Sequence, residues 1–214
     1  NRSREKAAEL EKNGAKVAGS IAEACRGREV VISMVSDDKA LTDVVKEISA
    51  ALEKGAIHVA MGTHGVHVLR EVDAVHGKLG QKFIASPVLG RPEAAAVGQI
   101  NIVPAGPADA IEKVAPLNAL MGRRTFPAGS KPEGAAAVKL ANNMLIGCAI
   151  EAMGEAFSLV RKYGVDPAAF YEVFTDGLFS APAYKVYGNI IVKELYGQAG
   201  FTTTLGLKDT GLML

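Results

Sequence analysis

Between Ala15 and Phe126, short apolar or β-branched runs alternate with stretches of helical period. The runs are Ala15–Ala18, Glu29–Val35, Ala56–Met61, Lys82–Val88, Ile100–Val103 and Thr125–Phe126. Helical patterns fall on Ser3–Lys12, where Ser3 can cap and Asn13-Gly14 can stop the helix, and on Ser20–Cys25, Asp38–Leu52, Val66–Leu79 and Ala108–Met121. A Gly90-Arg91-Pro92 turn and a small-residue segment separate the fourth run from the fifth. Strands alternating with helices predict βαβ units and a mostly parallel sheet covered on both faces. After Lys131 no strand pattern returns, and helices are predicted over Gly134–Lys162, Pro167–Thr175, Ala181–Leu195 and from Thr202 onward. The predicted organisation is an α/β domain over 1–130 joined by a long helix to an all-helical domain over 131–214.

The long helix spans roughly 45 Å at the usual rise per residue. Its first half is apolar nearly all round, which predicts a path through a protein interior. The uninterrupted apolar run, Met144–Ile150, is far short of the ~20 residues of a membrane span, so no membrane partner is expected. Inside that surface stand Lys139, Asn142 and Asn143, which are costly there unless paired or put to use. Lys139 and Asn143 are four apart and share a face.

Composition narrows the function classes. With 214 residues, 49% hydrophobic, 22% charged and a net charge of +1, the chain is globular and has no electrostatic reason to bind nucleic acid or an anionic surface. Cys25 and Cys148, one in a short amphipathic segment and one on the apolar helix, read as reduced core residues of a cytoplasmic protein. His64 and His67 are three apart, but no Cys, Asp or Glu joins them at ligand spacing, so no metal is expected. The chain starts at Asn1 without methionine and stops at Leu214 inside a helical pattern, and so reads as an internal piece of a longer protein.

In open parallel sheets ligands bind beyond the carboxyl ends of the strands. Those ends carry Met34-Val35-Ser36-Asp37-Asp38, Gly62-Thr63 and Ala85-Ser86-Pro87-Val88-Leu89-Gly90-Arg91 with Gly98. Together with Lys139-Leu140-Ala141-Asn142-Asn143 and Lys208-Asp209, in this order, they resemble the β-hydroxyacid dehydrogenases, the family of 3-hydroxyisobutyrate dehydrogenase and glyoxylate, succinic semialdehyde and tartronate semialdehyde reductases. The resemblance covers the whole chain. It implies a Rossmann-type domain, incomplete at its amino terminus because the family's first strand and G-x-G-x-x-G turn are not in this sequence. It also implies reversible hydride transfer between a nicotinamide and a small hydroxy acid or its aldehyde or keto form.

Carried over residue by residue, the resemblance makes Lys139 the proton donor and acceptor and Asn143 its catalytic partner, with Asn142 beside the substrate. Desolvation beside a neutral ring would favour the free amine. Met34, Val35, Ser36 and Thr63 fall on the cofactor side, and Lys208 reaches cofactor or substrate; Thr63 also suits a plain turn and Lys208 a solvated charge. Asn1-Arg2-Ser3 stands where an acidic residue would select NAD. An arginine there suits the 2'-phosphate of NADP, although Ser3 is a good helix cap with either cofactor. Leu89, Gly90 and Arg91 form the substrate segment. Leu89 replaces the family's carboxylate-holding serine and Arg91 its second glycine, which implies a bulkier, less polar pocket. Arg91 suits a substrate carboxylate and a rim salt bridge equally. The expected activity is an NADP-preferring reductase, NAD being possible, with an imine reductase or a non-catalytic binding module as alternatives. The apolar long helix further predicts a homo-oligomer.

Overall fold

The computed structural model describes residues 4–197 and 202–213. In chain order the elements are α1 (Arg4–Glu11), α2 (Ile21–Cys25), β1 (Val30–Ser33), α3 (Asp38–Ala51), β2 (Ile57–Ala60), α4 (Val66–Lys78), β3 (Lys82–Ala85), β4 (Val88–Leu89), α5 (Pro92–Ala96), β5 (Ile100–Ile102), α6 (Ala108–Met121) and β6 (Gly122–Thr125). They are followed by α7 (Glu133–Lys162), α8 (Pro167–Asp176), α9 (Pro182–Val192) and α10 (Thr203–Gly211). The chain divides into two compact units, Asn1–Lys139 and Leu140–Leu214, with α7 crossing the division.

In the first unit β1, β2 and β3 form a parallel sheet in that order, and β4, β5 and β6 a second one in which β4 runs antiparallel to β5 and β6 parallel. An isolated bridge between Ala85 and Ala105 joins them. The period of two along the strands sorts side chains to two cores. Ala60, Phe83 and Ala85 pack with Leu41 and Val45 of α3, Val68, Leu69 and Val72 of α4, and Ala135 and Ala136 of α7. Ile57, Val59, Ile84, Ile100 and Ile102 pack on the other side with Ala110 and Val114 of α6. Among the described residues β1 is an edge strand, and Ile32 on it and Met34 just beyond it are 42% and 67% exposed.

Beneath α3 and α4 runs a buried polar chain. Ser33 Oγ lies 2.8 Å from His58 Nε2, His58 Nδ1 lies 2.9 Å from His76 Nε2, and His76 Nδ1 lies 2.7 Å from Gln81 Oε1. Gln81 Nε2 then donates to the carbonyls of Ser49 and Leu52, both at 2.8 Å. Burial, with the neighbouring histidines, pushes the His58 pKa down to about 3, and burial lowers that of His76 as well.

Five expectations change. Residues 15–18 form no strand, because the Ala15 N–H turns back to the Leu10 carbonyl at 3.1 Å and finishes the α1 stop. The run Lys82–Val88 is two strands in two sheets: the Ser86 N–H reaches Ala60 O at 2.7 Å, and Pro87 has no N–H with which to continue the ladder. The last strand starts earlier, at Gly122, and the small-residue segment holds α5, with Pro92 in its first turn. Cys148 is exposed, whereas Cys25 is buried.

A sixth concerns α7. Its most apolar window is 17% buried, with Val138, Met144 and Leu145 exposed, so it does not run through an interior in this chain. By length and composition it would pass for a membrane span, but its apolar half carries Lys139, Asn142 and Asn143.

In the second unit, Phe157 of α7 lies edge-on to Phe170 and Phe174 of α8, with centroids 5.2 and 5.8 Å away, and Tyr184 of α9 stands edge-on to Phe174 at 6.5 Å. Gly188 of α9 faces Tyr171 and Phe174 so closely that a Cβ there would lie 3.0 Å from the Phe174 ring. These aromatic contacts fix α8 and α9 against α7.

Candidate active site

The first site lies at the carboxyl ends of β1 and β2. Asp37 caps α3 by accepting the Ala40 N–H at 2.8 Å, and Ser36 Oγ donates to Asp37 Oδ2 at 2.7 Å. Asp38, next along, accepts the Gly65 N–H at 3.2 Å and lies 3.1 Å from His64 Nδ1. One carboxylate thereby ties the loop after β1 to the start of α4. Gly62 completes the join: a Cβ there would stand 2.6 Å from the Val35 carbonyl, so only glycine lets the two loops meet. Thr63 follows, half-buried, in the same loop. Met34, Val35, Ser36 and Asp37 border a cavity of about 1000 Å³, roomy enough for part of a dinucleotide. Asn1, Arg2 and Ser3 lie outside the described residues.

The second site is built on β4. The Val103 N–H donates to Pro87 O at 3.0 Å and Val88 sits opposite Ile102, so the polar groups of Val88 face away from β5. There the Lys139 ammonium donates to Val88 O at 2.9 Å. The lysine is half-buried, and its apolar stem lets the amine reach the open strand edge. Leu89 comes next. Gly90 has φ +150°, and a Cβ on it would fall 2.8 Å from Ile100 Cγ2, so the turn out of β4 requires glycine. Arg91 pairs with Glu93 at 3.3 Å on the rim.

The third group belongs to the second unit. Asn143 Nδ2 donates to Asp209 Oδ2 at 2.6 Å, and the Lys208 ammonium lies 3.0 Å from Asp209 Oδ1. Asp209 is 4% exposed, a carboxylate buried between a cation and an amide. Asn142 is half-buried beside Asn143. Asp38, His64 and Asp209 were not among the residues expected at the site. Asp38 and Asp209 fall within segments that carry the resemblance but had no role assigned to them, and the pairings that engage the three residues link positions 26, 27 and 66 apart. Among the described residues no three His, Cys, Asp or Glu side chains gather as a metal site would need.

Residues 1–129 match the model of the NAD binding domain of 6-phosphogluconate dehydrogenase, and residues 134–214 that of the NAD-binding region of NADP-dependent 3-hydroxyisobutyrate dehydrogenase. The chain belongs to the β-hydroxyacid dehydrogenase family. Similar β-hydroxyacid dehydrogenase relatives include an uncharacterized oxidoreductase, YfjR, of Bacillus subtilis, 36% identical over all of this chain and 76% of its own length. A 3-hydroxyisobutyrate dehydrogenase of Pseudomonas aeruginosa is 29% identical over 96% of this chain and 72% of its own. The 3-hydroxyisobutyrate dehydrogenase of Mycobacterium tuberculosis, solved with L-serine, shares the fold with a TM-score of 0.89 at 24% identity, over 99% of this chain and 74% of that one. Membership makes the protein a nicotinamide-dependent dehydrogenase or reductase built on a Rossmann-type sheet with a helical domain.

Proposed function

We propose that the protein is an NADP(H)-dependent oxidoreductase that interconverts a small β-hydroxy acid and its aldehyde or keto acid, with Lys139 moving the proton. The observation that carries this reading is the Lys139 ammonium held 2.9 Å from Val88 O, at the free edge of the strand that leads into Leu89-Gly90-Arg91. A bound reduced nicotinamide supplies the hydride and its two electrons. As the substrate's C=O π pair becomes an alkoxide, Lys139 delivers a proton to that oxygen, and in oxidation it takes the proton back. The Val88 carbonyl fixes the direction of the amine before substrate arrives. Asn143, one helical turn on, is oriented by Asp209 so that its carboxamide oxygen faces away from that carboxylate. Met34, Val35, Ser36 and Thr63 serve the nicotinamide end of the cofactor, and Lys208 serves the cofactor or substrate. The model matching residues 134–214, described as NADP-dependent, supports NADP over NAD. The exposed Met144, Leu145 and Leu159 of α7 support assembly with further copies of the chain.

NADPH oxidation by the complete gene product with glyoxylate, succinic semialdehyde and a cyclic imine tests this reading. Turnover of an acid substrate is expected. Turnover of the imine alone would favour imine reduction, the reading that Leu89 recommends because it offers no hydroxyl to a carboxylate. A protein that binds no NADPH would be a non-catalytic module.

A further inference from the structure

The second sheet has a polar face that the site described above does not use. Ile100 and Ile102 of β5 pack against α6, so Asn101 between them points to the opposite side. Leu89 is the registered partner of Asn101 on β4 and Arg124 its registered partner on β6, and registered partners share a face. Leu89, Asn101 and Arg124 therefore stand in a row across three strands, away from α6. The first turn of α7 also packs on the side of the sheets away from α6, through Ala135 and Ala136, and Lys139 follows one turn later. The row thus begins beside the carbonyl that holds the Lys139 amine and runs outward for roughly 10 Å between the Leu89 and Arg124 Cα atoms at ordinary strand spacings.

Its outer end is cationic and held in place. Arg124 is exposed, and its guanidinium carbon lies 4.6 Å over the Phe126 ring, which restrains the group and leaves its N–H fork outward. Among the described residues no carboxylate lies within ion-pair distance of Arg124, unlike Arg91, which Glu93 pairs. In the middle of the row Asn101 has a buried carboxamide oxygen with no hydrogen-bond partner, an acceptor that suits a donor such as a substrate hydroxyl and not a carboxylate.

We propose that Arg124 is an anion subsite that selects carbonyl substrates whose carboxylate lies several bonds from the reacting carbon. This rests on the oxidoreductase reading above and deepens it. The acid group that Leu89 cannot hold next to the reacting carbon is taken instead at the far end of the row, by a bidentate guanidinium.

The test compares aldehydes matched in length, with and without a terminal carboxylate: succinic semialdehyde against butanal, and the six-carbon semialdehyde acid against hexanal, each with NADPH and the complete gene product. The unmodified protein should prefer the acids. Arg124→Met should raise KM for them about tenfold or more, with kcat within about twofold and the neutral aldehydes unaffected. Arg124→Lys should recover part of the loss, because it keeps the charge and loses the fork. Arg124 is exposed, and matched melting temperatures will show that the variants fold. An undiminished acid preference in Arg124→Met, or an equal loss on acids and neutral aldehydes, overturns the subsite and leaves the oxidoreductase reading standing. An unmodified protein that reduces none of the four overturns both.

Discussion

His58 Nδ1 and His76 Nε2 face each other across 2.9 Å in the core of the first unit, and the direction of that hydrogen bond is fixed from its far end. Gln81 Nε2 donates to two carbonyls, so Gln81 Oε1 must accept, and His76 Nδ1 must carry the proton it receives. His76 Nε2 is then an acceptor, His58 Nδ1 a donor and His58 Nε2 an acceptor for the Ser33 hydroxyl. Both rings are neutral, and an added proton has no acceptor along the chain.

Acid should therefore unfold this unit early. The His58 pKa is lowered to about 3, below that of the unfolded chain, so the unfolded state binds the proton first as pH falls. Stability is complete above about pH 6.5 and declines below it by about 1.4 kcal/mol per pH unit for each histidine whose pKa is lowered, until the folded group itself titrates. Denaturant melts between pH 7 and 4 should show that slope, and His58→Gln should flatten it. A melting midpoint independent of pH over that range would contradict the arrangement.

Removing the Lys139 amine should separate chemistry from binding. Lys139→Ala is expected to lower kcat by about 10²–10⁴ while leaving NADPH affinity within about twofold. Single-turnover kinetics beside a fluorescence titration measure the two. Unchanged turnover would remove the proton-transfer role.

In the proposed mechanism Asp209, which accepts a hydrogen bond from Asn143 Nδ2, acts through Asn143 as a positioning residue. Asp209→Ala should reduce kcat by roughly tenfold to a hundredfold by freeing the Asn143 carboxamide, whereas Asp209→Asn, which keeps an acceptor, should restore most of it. Equal losses in both variants would assign Asp209 to stability alone.

Gly62→Ala would drive a Cβ to 2.6 Å from the Val35 carbonyl, and one loop must yield. A destabilisation of about 1–3 kcal/mol is expected, together with weaker NADPH binding because Val35 borders the cavity. Calorimetry and titration of the same variant check both parts.

The sequence made the long, strongly periodic elements readable. Asp38, Ala108 and Met121 are helix ends that cap chemistry and apolar spacing mark plainly, and α3 and α6 follow. The change of sheet at Ser86-Pro87 was hidden, because Lys82–Val88 reads as one mostly apolar run and the break depends on Ala85 pairing with Ala105, twenty residues on. The pairing of His58 with His76 was not legible, since only folding brings a second ring and Gln81 to satisfy them. Lys139 stood out by chemistry, an ammonium in an apolar helix, but its acceptor Val88 is 51 residues away. Asn143 was legible for the same reason, and Asp209 as the second member of the Lys208-Asp209 pair, without its contact to Asn143.

The bare margin of β1 has a practical consequence. Among the described residues no strand pairs with its outer edge, and with exposed Ile32 and Met34 beside it that edge makes a ready template for another polypeptide to add a strand. Rising concentration should favour strand addition between copies at that margin, and a lysine in place of Ile32 should oppose it.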